Sequence, residues 1–262
     1  MAVVWITGAS SGIGEALAKQ YVKQGAKLVL SSRREAELER VKKACLAAGA
    51  KDRDVLVLPL DVLEVDLMGD KVNTVLKHFD RIDVLINNAG ISQRSLCLDT
   101  SLATYRTLLD VDVLGQIALT KEVLPHMVSQ GSGHIAVTSS VAGKVGVKLR
   151  TGYCAAKHAV MGFFDALRAE VAQHGISVST ITPGFIKTDV SKNAVVGDGS
   201  DFGSDDDDIA SGMDVDKCAQ VIVAKMNKGV KEIAVGKGLS MAALWIKRLS
   251  PNLLFSMMAK KA

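Results

Sequence analysis

The sequence predicts an α/β chain: a doubly wound, mainly parallel sheet with helices on both faces. Three observations predict it. Short apolar runs alternate with longer helical patterns along the chain, as in strand–helix–strand units. A glycine-rich turn, Thr7-Gly8-Ala9-Ser10-Ser11-Gly12-Ile13-Gly14, follows the first apolar run and opens the first helix. The other motifs fall at the ends of later runs, where open α/β sheets bind their ligands.

Taken in order, residues 3–7 read as a strand, 13–24 as a helix, 27–31 as a strand, 35–48 as a helix and 55–59 as a strand. Residues 66–79 are helical and 84–87 form a strand. One long helix is expected over 104–130, with Pro125 near its end. A strand at 134–138, a helix at 152–174 and a strand at 177–182 follow. A capped helix over 214–228 and a strand at 232–235 close the pattern. Two segments depart from it. Residues 197–212 carry Gly197, Gly199, Gly203 and the run Asp205–Asp208, and read as a mobile, solvated loop within a substrate loop at 190–213. The tail from 239 to 262 sets Trp245, Ile246, Leu249, Leu253, Leu254, Phe255, Met257 and Met258 among Lys247, Arg248, Lys260 and Lys261. It reads either as a helix packed on the core or on a second subunit, or as a peripheral contact with an intracellular membrane.

Bulk composition narrows the function. The 262 residues suit one large domain, and 48% hydrophobic content supplies its core. A net charge of +4 without a long basic run argues against a nucleic-acid partner. Cys45, Cys97, Cys154 and Cys218 are too scattered for a metal site, and read as reduced thiols in a cytoplasmic compartment. No signal peptide or amino-terminal anchor is expected ahead of the first strand. The most membrane-like stretch, 239–258, is broken by Lys247, Arg248 and Pro251.

The chemistry gathers at the strand ends. Gly8, Gly12 and Gly14 let backbone turn tightly and approach a pyrophosphate, which a helix amino terminus attracts. Ser10 and Ser11 add hydroxyl donors, and Ile13 lies within the same turn. An acidic residue after the second strand would hold the ribose of NAD. This chain has Ser31-Ser32-Arg33-Arg34 instead, and the two arginines favour the phosphate of NADP, with Glu35 and Glu37 close enough in sequence to pair with them. Asp61 and Val62 end the third strand, beside the adenine. Asn88, Ala89 and Gly90 end the fourth and let backbone pass near the adenosine ribose and the nicotinamide end. Pro183, Gly184, Ile186 and Thr188 turn after the sixth, with Ile186 and Thr188 presented to the carboxamide.

Tyr153 and Lys157 stand one helical turn apart, with Ser140 upstream. A phenol is a poor acid near neutrality, with an unperturbed pKa of about 10. A fixed ammonium beside it favours the phenolate and makes it a usable proton donor and acceptor for a carbonyl and its alcohol.

Together these motifs resemble the short-chain dehydrogenase/reductase family over residues 3 to 190, in family order and spacing. The segments around Ser139–Lys144 and 157–170, with the tail, are similar to a narrower branch, the dehydrogenase/reductase member 7 and 7B group. The resemblance implies one nicotinamide-nucleotide-binding Rossmann domain over 1–262 and a homodimer or homotetramer. It implies Tyr153 as general acid/base, with Lys157 priming it and holding the nicotinamide ribose. It implies Ser140 on the substrate oxygen. It also implies a small apolar carbonyl or alcohol substrate of steroid-, retinoid- or lipid-like class, reduced or oxidised with NADP(H). Residues Leu96, Val145, Val147 and Leu149 are expected to wall an apolar pocket. The family sets an asparagine three positions before the glycine of the central helix, and this chain has Asp112 before Gly115. A carboxylate there either serves an altered proton relay or pairs with Lys157 and dilutes its field. The second outcome leaves an NADP(H)-binding protein or redox sensor with weak turnover.

Overall fold

The computed structural model describes residues 1–204 and 207–260. Asp205 and Asp206 of the acidic run, and Lys261 and Ala262 of the tail, lie outside the described residues. The strands are β1 (Val3–Thr7), β2 (Lys27–Ser31), β3 (Val55–Val57), β4 (Val84–Asn87), β5 (Gly133–Thr138), β6 (Ile176–Pro183) and β7 (Glu232–Val235). They form one sheet in the order β3-β2-β1-β4-β5-β6-β7, with every pairing parallel. The chain builds outward from β1 to β3, then crosses back to lay β4 on the other side of β1. The order therefore reverses between β1 and β4, which opens a crevice at the carboxyl ends of those strands.

The main helices are α1 (Gly12–Val22), α2 (Glu35–Ala47), α3 (Met68–Phe79), α4 (Leu102–Leu109), α5 (Gly115–Gln130) and α6 (Thr151–Val171). A short α7 (Asp207–Ala210) and α8 (Val215–Asn227) follow. The side chain of Asp214 caps α8 by accepting from the Lys217 N–H at 2.9 Å. Successive β1 side chains face opposite layers. Val4 and Ile6 pack with Leu17, Leu38 and Ile222 of α1, α2 and α8. Val3 and Trp5 pack with Val72, Leu119 and Phe164 of α3, α5 and α6. Burial on both faces explains why β1 reads as an unbroken apolar run.

Several expectations need correction. The helix expected over 104–130 starts at Leu102, and a π-helical turn at Asp110–Leu114 separates α4 from α5. Among the described residues of the expected loop at 197–212 lies the short helix α7, and Asp201 bridges Val195. The tail forms two helices, α9 (Leu239–Leu249) and α10 (Pro251–Lys260). Pro251 suits the first helical position, where no backbone donor is needed. Leu254 and Ala243 bury against Val141 and Val145. Trp245, Leu249, Leu253 and Phe255 stay exposed, and the Lys247 ammonium lies 4.3 Å from the Phe255 ring centre. Among the described residues no helix is long and apolar enough to cross a membrane.

Candidate active site

A cleft of about 610 Å³ opens at the carboxyl ends of the strands. Its first wall is the turn between β1 and α1. Gly8 and Gly12 hold positive φ, at 64° and 55°, where a side chain would be strained. Gly14 lies outside the lining, although it was expected to touch the nucleotide. A Cβ on it would collide with the Gly8 carbonyl and stand 2.8 Å from Asn88 Nδ2, so this glycine serves the packing of loop on helix.

Asn88 and Thr7 brace this loop to its neighbours. Asn88 Nδ2 donates to the carbonyls of Thr7 at 3.1 Å and Gly8 at 3.4 Å, while its Oδ1 accepts from the Thr138 hydroxyl at 3.1 Å. Thr7 Oγ1 accepts from the backbone N–H of Asn88 and of Ala89, each at 3.0 Å. Among the described residues no side chain caps α1, whose amino-terminal residues Gly12 and Ile13 line the cleft. Uncapped donors at a helix start fit a pyrophosphate.

The end of β2 contributes Ser31, Ser32, Arg33 and Arg34 to the lining. Arg34 Nη2 reaches Ser10 Oγ at 3.2 Å and Ser11 Oγ at 3.5 Å, beside the glycine turn. The expected partners of the arginines differ: Glu37 pairs with Arg40, whose guanidinium also meets Glu15 at 2.7 Å. Arg33 and Arg34 thus face the cleft while Arg40 absorbs the nearby acids. Asp61, Val62, Asn88, Ala89, Gly90, Pro183, Gly184, Ile186 and Thr188 also line the cleft.

Ser140, Tyr153 and Lys157 all line the same cleft. The Lys157 ammonium lies 5.6 Å from the Tyr153 ring centre. Ser140 Oγ accepts from the Ala142 N–H at 3.1 Å, which leaves its proton free to be donated. Lys157 Nζ donates to the Thr138 carbonyl at 3.2 Å and pairs with Asp112 Oδ2 at 3.3 Å. Asp112 Oδ1 accepts from the Ile91 N–H at 2.8 Å. Asp112 does not line the cleft: it is fully buried behind Lys157, carried there by the π turn. It reaches the cleft through two lining residues, Lys157 and the Ile91 N–H.

Burial pushes the Asp112 carboxyl above the usual carboxylate range, against the pull of Lys157 and the Ile91 N–H. Burial also opposes the Lys157 ammonium, but Asp112 and then Tyr153 outweigh it and raise Lys157 above the ordinary lysine value. The lysine is therefore cationic at neutral pH.

The substrate end differs from the expected apolar wall. Val147 lines it, but Val145 is buried under the tail helices, and Leu96 and Leu149 lie outside the lining. Apolar wall comes instead from Val111, Val190, Val195 and Ile209, beside the polar Thr107, Arg150, Asp189, Asn193 and Asp201. Thr7 and Thr138 carry no sequence signal for these roles: Thr7 braces the loop, and Thr138 joins Asn88 through its hydroxyl and Lys157 through its carbonyl.

The family model for short chain dehydrogenases matches residues 2–198. The chain belongs to the short-chain dehydrogenase/reductase family, whose members are oxidoreductases that use a nicotinamide cofactor. It is 46% identical to dehydrogenase/reductase SDR family member 7 of Homo sapiens, over 90% of this chain and 70% of that one. It is 43% identical to dehydrogenase/reductase SDR family protein 7-like of Drosophila melanogaster, over 99% and 80%. A short-chain dehydrogenase from Streptomyces avermitilis superposes with a TM-score of 0.85 at 27% identity, covering 99% of this chain and 98% of that one. A metagenomic short-chain oxidoreductase in complex with NADP superposes with a TM-score of 0.72 at 26% identity, covering 89% and 96%.

The buried pair carries a pH signature. Lys157→Met leaves Asp112 buried without its counter-charge, and breaking such a pair costs about 3–5 kcal/mol near neutrality. A carboxyl whose folded pKa is raised contributes stability at acid pH that is lost as pH rises through the folded value. Asp112 is raised further without the lysine, so the deficit of the variant widens as pH rises above the ordinary carboxylate range. Denaturant unfolding at stepped pH checks this, and a deficit that stays constant contradicts it.

Proposed function

We propose that this chain is an NADP(H)-dependent oxidoreductase that interconverts a ketone or aldehyde with its alcohol. Its substrate has an apolar body of steroid-, retinoid- or lipid-like class. The observation that carries this reading is the convergence of Ser140, Tyr153 and Lys157 on the cleft that the glycine turn also lines. The cradle fits a dinucleotide, because Gly8 and Gly12 hold conformations that bring bare backbone to the cleft and α1 starts without a side-chain cap. Arg33 and Arg34 favour the phosphorylated cofactor. The apolar side chains Val111, Val147, Val190, Val195 and Ile209 favour an apolar substrate body.

When bound, the cofactor supplies or accepts the hydride at the carbonyl carbon. Tyr153 donates its phenolic proton to the oxygen as the carbonyl becomes an alcohol, and takes it back in oxidation. The Ser140 hydroxyl donates a hydrogen bond to the same oxygen and holds it beside Tyr153. Lys157 stabilises the phenolate left on Tyr153 and offers hydrogen bonds to the nicotinamide ribose. Asp112 aims Lys157 through an acceptor oxygen, which an asparagine would also offer.

The Asp112–Lys157 pair also favours a second reading, a protein that binds NADP(H) and turns it over weakly. A carboxylate at 3.3 Å screens the field that Lys157 applies to Tyr153. One assay separates the two: NADPH oxidation followed with a panel of ketones. The enzyme reading expects turnover that falls about 100-fold or more in Tyr153→Phe, with NADPH binding kept. It expects Asp112→Asn to leave the rate within about threefold. A rate that rises from near zero in Asp112→Asn supports the second reading. No turnover by either protein removes the enzyme reading.

Cofactor choice has its own test. Replacing Arg33 and Arg34 by alanine removes charge-assisted contacts to a ribose phosphate, so NADPH binding should weaken about tenfold or more while NADH binding changes little. Fluorescence titration measures both, and equal losses for the two cofactors contradict the assignment.

A further inference from the structure

Gln93 is fully buried and plays no part in the chemistry above. Its side-chain Oε1 accepts from the backbone N–H of Gly152 at 2.7 Å and of Tyr153 at 3.2 Å. The first N–H groups of a helix find no partner inside it. Arg150, which immediately precedes α6, gives it no side-chain cap. The helix that carries Tyr153 and Lys157 is therefore capped by a residue 59 positions earlier in the chain. The amide orientation follows from the network: two N–H donors face the oxygen. Nε2 donates to Ser95 Oγ at 3.1 Å and Thr100 Oγ1 at 3.2 Å, and Thr100 passes its own proton to the Leu96 carbonyl at 2.6 Å.

The backbone on either side of Gln93 grips two other segments. The Arg94 N–H donates to the Val195 carbonyl and the Val195 N–H donates to the Ser92 carbonyl, each at 2.8 Å. Val195 lines the substrate end of the cleft. The Ser95 N–H donates to the Leu149 carbonyl at 3.0 Å. Leu149 holds a φ of 66°, a conformation unfavourable for leucine, just ahead of α6. One short segment thus holds the entry to α6 and the cleft wall at once.

We propose that Gln93 is a positioning residue: it sets the first turn of α6, and with it Tyr153, in register with the Val195 wall. The consequence for turnover rests on Tyr153 being the proton donor, whereas the contacts stand without it. A substrate seated against Val195 would press on the backbone of the residue whose side chain places the tyrosine.

Amide hydrogen exchange on the full chain, read at residue level, tests this without a known substrate. Gln93→Leu keeps the volume and loses the acceptor. It should speed exchange at Gly152 and Tyr153 about tenfold, the scale of a lost helix cap. Gln93→Glu keeps an acceptor oxygen at a helix amino terminus, which favours its charge, and should restore slow exchange. Val195→Pro removes the N–H given to Ser92 and touches neither amide, yet should speed exchange at both. Slow exchange at Gly152 and Tyr153 in Gln93→Leu overturns the capping role. Should that variant not fold, fast exchange at those amides in Gln93→Glu overturns it instead. An effect of Val195→Pro confined to residues 92–95 overturns the coupling. Turnover surviving in Tyr153→Phe would remove the catalytic reading and leave these exchange results untouched.

Discussion

The Lys157 ammonium lines the cleft yet is almost wholly out of water, and much of the surrounding architecture follows from the cost of holding a charge there. Three groups hold or balance it: the Asp112 carboxylate, the Thr138 carbonyl and the face of Tyr153. Each comes from a different element, a π turn, a strand end and the helix of the lysine itself. Close packing then dictates small residues nearby. A Cβ on Gly90 would stand 2.8 Å from Asp112 Oδ1 and 3.2 Å from Lys157 Nζ. A Cβ on Gly143 would stand 2.7 Å from the Lys157 carbonyl. The glycine after Asn88-Ala89 therefore makes room for an ion pair.

The cleft and its supports are continuous. Asn88 ties the glycine turn to the end of β5, and the carbonyl of that same Thr138 holds Lys157. The glycine turn and Lys157 thus share one brace. The tail joins them from the other side: Ser240 at the start of α9 lines the cleft and lies against Gly184, while Ala243 and Leu254 cover the segment that follows Ser140.

The strands were legible in the sequence because burial on both faces writes an unbroken apolar run, as in Val3-Val4-Trp5-Ile6. The glycine turn and the Tyr153–Lys157 spacing were legible because each motif is local. What stayed hidden depends on contacts between distant residues. The π turn has no signature within 104–130, since one extra residue per turn leaves the apolar pattern nearly intact. Arg40 competes with Arg33 and Arg34 for Glu37, and only the packing of α2 beside α1 decides which arginine faces the cleft. Val145 looked like pocket wall because it follows Ser140 closely, but the tail helices cover it. Gln93 gave no signal at all, because a helix cap supplied from another loop cannot be read from the helix.

A crystal structure with NADP bound tests the central claim most directly, that a caged lysine and its tyrosine flank the nicotinamide end of a dinucleotide. The account predicts the pyrophosphate over the start of α1 and Lys157 Nζ within about 3 Å of a ribose hydroxyl. The same structure should keep the Asp112 pair intact. A nucleotide bound elsewhere, or Lys157 turned away from the ribose toward Asp112 alone, would contradict it.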